Sequence, residues 1–467
     1  MGQTLKRVLV ANRGEIAVRI IRACFDEGLE AVLAVSDIDR ESLGAQLADR
    51  VICIGPASPS ESYLDIDRLV NAATLTGCDA LHPGYGFVSE RPELAEACAN
   101  AGIVFVGPSA EAMRRSGDKL LARATANELG IATGEGSDAI ASEAELRSIA
   151  DRIGLPLLLK AAAGGGGRGM RMVHDAGELG PAFAAASAEA RQAFGDGRLF
   201  VERFVRRARH VEVQVLADRH GNVVHLGHRD CSVQRRYQKL IEEAPAPSLP
   251  EALHQEILAA ATRLIGSLHY QGAATCEFLV DSEREQYAFL EVNARLQVEH
   301  PVTEMVTGVD IVREQLRIAA GERLSVSQDE VVFTGHAVEA RINAESPERG
   351  FAPSPGTITR WAAPVGTYVR VDTACFAGAT IPPHYDSIVA KVIAVGDDRP
   401  EAIARLVHAL GHLRIDGVAT TAAFARELLR HPDFLSGAVH TRWLEDELMD
   451  RWATGRAASG TRLSSPA

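Results

Sequence analysis

Residues 276–300, reading CEFLVDSEREQYAFLEVNARLQVEH, constrain the fold more than any other stretch of this 467-residue chain. CEFLV and YAFLEV are apolar runs separated by the polar turn DSERE, which is the pattern of a β-hairpin. A strand has a two-residue period. With extended backbone, therefore, Glu291, Asn293, Arg295, Gln297 and Glu299 share one face, and one register open to the hairpin brings Glu277 beside Glu291. Two carboxylates and an amide oxygen held together suit Mg²⁺, a hard cation that takes oxygen ligands and leaves room for substrate phosphates. The spacing alone also fits a solvent-facing strand of alternating charge, so the rest of the chain has to decide between the two.

Arg7 to Ala11 is a buried-type strand, Glu15 to Asp26 has helical spacing and Glu30 to Val35 is apolar again, which makes an α/β opening. Its turn, NRGE, holds one glycine and not G-x-G-x-x-G, so a dinucleotide site has weak support. HPGYGF (82–87) is a tight turn at the end of a strand, where open α/β sheets line their ligand sites; a purely structural turn fits as well. LPLLLK (155–160) and MRMVH (170–174) read as paired strands flanking AAAGGGGRG. Glycines there let backbone N–H groups approach an anion closely, so with Lys160 at its base the loop is expected to be a lid over a polyphosphate. The Walker pattern is absent, which excludes a P-loop; a plain linker is the alternative.

RLFVERFV (198–205) and HVEVQVLA (210–217) alternate as strands of an expected large antiparallel sheet. RDCSVQRRYQKLIEEAPAP reads as a cationic loop ended by prolines. Its Arg229, Arg235, Arg236 and Lys239 would repel one another unless carboxylates such as Glu242 and Glu243, or bound anions, offset them. Helical spacing recurs over 251–268, 309–319 and 399–412. From about Leu324 the chain reads as a closing α+β domain, and 451–467 as a disordered tail.

The net charge of −13 argues against nucleic acid or an anionic membrane as a general partner. Only five lysines occur, so each deserves inspection. Seven scattered cysteines without a C-x-x-C pair fit reduced thiols better than a disulfide framework or a zinc site. There is no apolar run of the ~18 residues that a membrane span needs, and the start leads directly into a core-type strand; the expectation is a cytoplasmic protein.

Taken in order, ANRGEIA, HPGYGF, GDK, the strand-lysine-glycine loop, RHVEVQV, RDCSVQRR, EEAPAP, CEF, EVNARLQVEH and GHAVEARINAE make this chain resemble the biotin carboxylases, members of the ATP-grasp superfamily. The resemblance implies an α/β and α+β architecture. A Rossmann-like (pre-ATP-grasp) domain would span 1–117 and an ATP-grasp domain 118–322, with a glycine-loop lid subdomain at about 134–204. A mixed α+β C-terminal domain would span 323–450. It also implies a ligase that uses ATP and bicarbonate, through carboxyphosphate, to carboxylate biotin. This would be the first half-reaction of acetyl-CoA carboxylase, serving fatty acid synthesis, or of a related acyl-CoA or pyruvate carboxylase.

Carried over residue by residue, the resemblance assigns ATP binding to Lys119, Lys160, Gly166, Gly167, Glu202, Arg203, Phe204, Val205, His210, Gln234, Glu277 and Glu291. Mg²⁺ (or Mn²⁺) falls to Glu277, Glu291 and Asn293. Bicarbonate falls to Lys239, Arg295, Gln297, Val298 through its backbone and Glu299. Glu299 would be the general base, and Arg341 would stabilise the biotin enolate; Lys239, Arg295, Glu299 and Arg341 form the catalytic set. One departure is Tyr237, where the family has histidine, and no role is assigned to it. No lysine sits in an A-M-K-M hairpin and the chain is short for a carboxyltransferase domain. Biotin is therefore expected on a separate carrier protein, with a carboxyltransferase subunit as further partner and a homodimer as the assembly. Two alternatives stay open: an ATP-grasp ligase that passes phosphorylated bicarbonate to ammonia, and a nucleotide-binding subunit without catalysis.

Overall fold

The computed structural model describes residues 5–162 and 170–449. The expectations for Gly166, Gly167 and the 451–467 tail therefore lie outside the described residues.

The first region is the expected strand-helix-strand repeat: β1 (Arg7–Val10), α1 (Gly14–Asp26), β2 (Glu30–Ser36), β3 (Arg50–Gly55), α2 (Ile66–Thr76), β4 (Ala80–His82), α3 (Pro92–Asn100) and β5 (Val104–Phe105). The five strands form one parallel sheet in the order β3-β2-β1-β4-β5. Both faces are covered, as parallel sheets require. Period two sends Val8 and Val10 to a core with Ile16, Ile20 and Val312, whereas Leu9 and Ala11 go to one with Tyr63, Leu69 and Leu94.

After α4 (Lys119–Glu128) and α5 (Glu143–Ile153) come β6 (Leu157–Ala161), β7 (Arg171–Val173), α6 (Leu179–Phe194) and β8 (Leu199–Arg203). Here β6 pairs with β7 as its antiparallel return strand, in line with the expectation for the two strands beside the glycine loop. The structure corrects the placement of β8. It pairs with β6, from Leu157↔Arg203 to Ala161↔Leu199, in a separate three-stranded sheet and not in the large one. Packing explains this, because Leu199 and Val201 bury against Leu157, Leu159, Leu146 and Ala186 of their own small core.

The large sheet has eight antiparallel strands: β9 (Ala208–Ala217), β10 (Val223–Arg235), β11 (Gln238–Ala244), β12 (Gly272–Asp281), β13 (Gln286–Asn293), β14 (His336–Asn343), β15 (Val369–Thr373) and β16 (Ile388–Gly396). Their order is β13-β12-β9-β10-β11-β14-β16-β15. The cationic segment expected as a loop is the β10–β11 hairpin. Its two turn residues, Arg236 and Tyr237, have φ of 47° and 67°, the left-handed pair that matches hairpin twist. Register between β11 and β14, Ile241↔Ala340, carries the sheet across the expected 322/323 boundary. Helix α7 (Glu251–Ser267) packs on β9, β10, β12 and β13, α8 (His300–Thr307) and α9 (Ile311–Ala320) follow β13, and α10 (Arg399–His412) covers β14 and β16. Among the described residues no helix is long and apolar enough to cross a membrane.

Candidate active site

The hairpin β12–β13 has the anticipated register: Glu277 stands opposite Glu291 and Thr275 opposite Asn293. Asn293 then donates from Nδ2 to Glu277 at 2.9 Å, and Glu291 meets the Lys119 ammonium at 2.7 Å. The strand ends at Asn293, however, so the single extended face through Glu299 is corrected. Leu296 turns into the core beside Val10 and Ile16, and Glu299 is the N-cap residue of α8, with Pro301 in the helix's first turn. Burying Leu296 and starting a helix both draw the backbone off the ladder. Arg295, Gln297 and Val298 nonetheless line the same cavity as Glu277, Glu291 and Asn293.

That cavity holds about 570 Å³, within the range of small-molecule sites. Lys119, Lys160, Phe204, Val205, His210, Gln234, Lys239 and Arg341 line it too. Glu202 and Arg203 do not. The Glu202 carboxylate takes the Lys160 ammonium at 2.5 Å and Arg123 at 3.4 Å, and Arg203 turns away to Glu135 at 2.9 Å. Glu299 is fully buried behind the cavity wall. Its carboxylate lies 2.5 Å from Lys239 and 2.8 Å from Arg341, two cations that do face the cavity.

Lys239 is the electrostatic hub. Besides Glu299 it lies 2.6 Å from Glu212 and 3.2 Å from Glu277. Burial works against its charge, but Glu212, Glu277 and Glu299 outweigh burial and push its pKa well up. Burial would likewise raise Glu277, yet Lys239 and then His210 hold it at about 2. Glu212 is driven down in the same way, because Lys239 and Arg229 overcome its burial; Arg229, fully buried, sits 2.6 Å away. Ionised Glu277 and Glu291 are oxygen donors of the kind Mg²⁺ takes, and the Asn293 amide, which here turns its nitrogen to Glu277 and its oxygen to Arg295 at 3.1 Å, brings a third oxygen to the same cavity. The residues present therefore fit that ion. Arg341 spends its Nε on Glu242 at 2.5 Å, and burial, only partly offset by Arg341, leaves Glu242 at about 7.

Glu212 escaped the reading of the sequence, and Arg229, Glu242 and Tyr85 entered it only as parts of a cationic loop or a turn, with no role of their own. Glu212 and Arg229 face each other inside the sheet. Glu242, considered there only as a neighbour in a loop, is the partner of Arg341. Tyr85 of HPGYGF lines the cavity and donates its hydroxyl to Glu15. The available signal for Glu212 was a lone acid in HVEVQVLA, a strand whose every residue is buried.

Three family models match the chain: "Biotin carboxylase, N-terminal domain" over residues 4–113, "Carbamoyl-phosphate synthase L chain, ATP binding domain" over 118–327 and "Biotin carboxylase C-terminal domain" over 339–446. The biotin carboxylase of Pseudomonas aeruginosa is 49% identical over 450 residues, covering 96% of this chain and 100% of that one. A biotin carboxylase-beta-gamma-ATP complex from Campylobacter jejuni superposes with a TM-score of 0.92 at 43% identity, over 95% and 99% of the two chains. The biotin carboxylase domain dimer of Hydrogenobacter thermophilus 2-oxoglutarate carboxylase, in complex with MgADP, ADP and bicarbonate, gives a TM-score of 0.91 at 43% identity, over 95% and 98%.

Proposed function

The chain belongs to the biotin carboxylase family, with the ATP-grasp fold, and on that premise we propose how its residues carry out the ATP-dependent carboxylation of biotin by bicarbonate. The observation that carries the reading is the buried Glu299 carboxylate clamped between Lys239 and Arg341, just behind the wall of a cavity lined by those two cations and by Lys119, Lys160, Glu277 and Glu291.

Lys119 and Lys160 bind the ATP phosphates, together with Gly166 and Gly167. Of the 202–205 segment expected to take the adenine, Phe204 and Val205 face the cavity and take the base through their backbone, and His210 and Gln234 serve the ribose. When bound at Glu277, Glu291 and Asn293, Mg²⁺ neutralises charge on the nucleotide phosphates. Bicarbonate is held by Arg295, Gln297, the Val298 backbone and Lys239. Gln297 has a buried amide nitrogen without a hydrogen-bond partner among the described residues, a donor available to such an anion. Entering between Lys239 and Arg341, bicarbonate reaches Glu299, which takes its proton while a bicarbonate oxygen forms a bond to the γ-phosphorus and the bond to ADP breaks.

Carboxyphosphate then separates into CO₂ and phosphate. The phosphate removes the ureido proton of biotin, and the resulting nitrogen nucleophile bonds to CO₂. Arg341 stabilises the enolate oxygen, the service a preorganised cation performs best. Biotin comes on a separate carrier protein, a carboxyltransferase subunit consumes the product, and the working assembly is a cytoplasmic homodimer.

The test is phosphate release from MgATP by the purified protein, with and without bicarbonate and with free biotin added to each. Bicarbonate-dependent release stimulated by biotin supports this reading. Release raised by ammonia and indifferent to biotin would move the chain to the carbamoyl-phosphate type of ligase. ATP binding without release would leave a nucleotide-binding subunit.

A further inference from the structure

Lys391 is the fifth lysine of the chain and has no place in the site described so far. It lies on β16 with its side chain fully buried, where an unpaired ammonium is strongly disfavoured. Two carboxylates offset that cost, Glu15 at 3.2 Å and Asp372 at 3.8 Å. Nζ donates at 2.9 Å to the backbone carbonyl of Val298, in the peptide that joins Val298 to Glu299.

The surroundings tie this contact to the reaction site. Lys391 stands directly opposite Arg341 in the β14–β16 register, and directly opposed residues project from one face of a sheet. Its partner Glu15, near the start of α1, accepts the Tyr85 hydroxyl, and Tyr85 lines the cavity with Val298 and Arg341. One ammonium thus joins a strand of the closing region, a helix of the first region and the irregular turn 297–299. Asp372 has its own bidentate partner in Arg370, at 2.8 and 2.7 Å, so it does not depend on Lys391. The turn 297–299 lies off the ladder of β13, and the Lys391 bond is the side-chain anchor that its Val298 carbonyl makes.

We propose that Lys391 is a positioning residue for bicarbonate: it pins the Val298 carbonyl, and with it the turn that presents Gln297, Val298 and Glu299, while holding Tyr85 in place through Glu15. This rests on the reading that the turn binds bicarbonate. Replacing Lys391 should therefore damage bicarbonate use selectively and leave the nucleotide end of the cavity intact.

The experiment compares wild type, Lys391→Met and the double variant Lys391→Met with Glu15→Gln. The double variant removes the stranded carboxylate but keeps an amide oxygen to accept from Tyr85, so it folds even where the single variant does not. Initial rates are measured against bicarbonate at saturating MgATP and biotin, and against MgATP at saturating bicarbonate. The expected result is a rise in KM for bicarbonate of tenfold or more in both variants, with KM for ATP within twofold of wild type. An unchanged KM for bicarbonate with only kcat or active fraction reduced, or a parallel rise in both KM values, would overturn the inference. A wild-type protein that does not saturate with bicarbonate would instead remove the reading beneath it.

Discussion

Glu299 and Arg341 are 42 residues apart in the chain and 2.8 Å apart in space. Arg341 is itself held in place by Glu242 of the adjacent strand β11, so its guanidinium forks between two buried carboxylates. Arg341→Ala should reduce biotin-stimulated phosphate release by ~10² or more, the scale of losing one preorganised charge stabiliser. Bicarbonate-dependent release without biotin should fall much less. Parallel assays with and without biotin check this; equal losses in both would take Arg341 out of the biotin step.

Glu299→Gln should lower bicarbonate-dependent turnover by ~10² to 10⁴, the range of a general base. The fold should hold, because Lys239 retains Glu212 and Glu277 as partners. ADP binding measured by calorimetry should be unchanged. Loss of nucleotide binding together with turnover would point to collapse of the Lys239 cluster and not to lost base catalysis.

Glu291→Gln removes a carboxylate from the oxygen set and the partner of Lys119. The Mg²⁺ concentration for half-maximal rate should rise by ~10-fold or more, since even partners outside the ligand shell are worth that much. A chelator should abolish turnover of the wild type. An unaltered Mg²⁺ requirement would remove Glu291 from the metal site.

His228 is buried and receives the Ala246 N–H on Nδ1 at 2.9 Å, while its Nε2 lies 3.0 Å from Nδ1 of His254. Burial, and then the neighbouring His254, push its pKa down to about 3. Unfolding restores a value near 6.5. A group with a depressed folded pKa contributes stability that is present above the unfolded pKa and is lost as pH falls through the folded one. Stability should therefore decline from about pH 6.5 downward, by up to ~1.4 kcal/mol per pH unit from this residue. Melting temperatures between pH 7 and 5 test it: His228→Gln should give the shallower slope, and identical slopes would refute the assignment.

Much of the architecture was legible because it is written in local periodicity. Two apolar runs and a polar turn marked the β12–β13 hairpin, and the two-residue strand period pointed to its Glu277–Glu291 register. Helical spacing located α1 and α10, and α7 and α9 to within a few residues. Motif order identified the family. The failures share one cause, since packing overrode spacing. The alternation from Glu291 to Glu299 reads as one strand, but Leu296 finds a core that only the first sheet and α9 create, and the ladder ends at Asn293. The basic run 229–244 reads as a loop because its counter-charges, Glu212, Glu277 and Glu299, come from other strands and a helix cap. RLFVERFV alternates as a strand but nothing local says which sheet it joins.

By itself, then, the sequence determined which segments extend or coil, which carboxylates share the β12–β13 hairpin, and which reaction class the assembled motifs belong to. Tertiary structure alone decided which charges meet: Lys239 with three carboxylates, Arg341 with Glu242 and Glu299, and Lys391 with Val298 and Glu15. The physical reason is range. Periodicity is set by backbone geometry over a few residues, whereas a buried ion pair is favourable only when folding brings a partner from far along the chain into a space that excludes water.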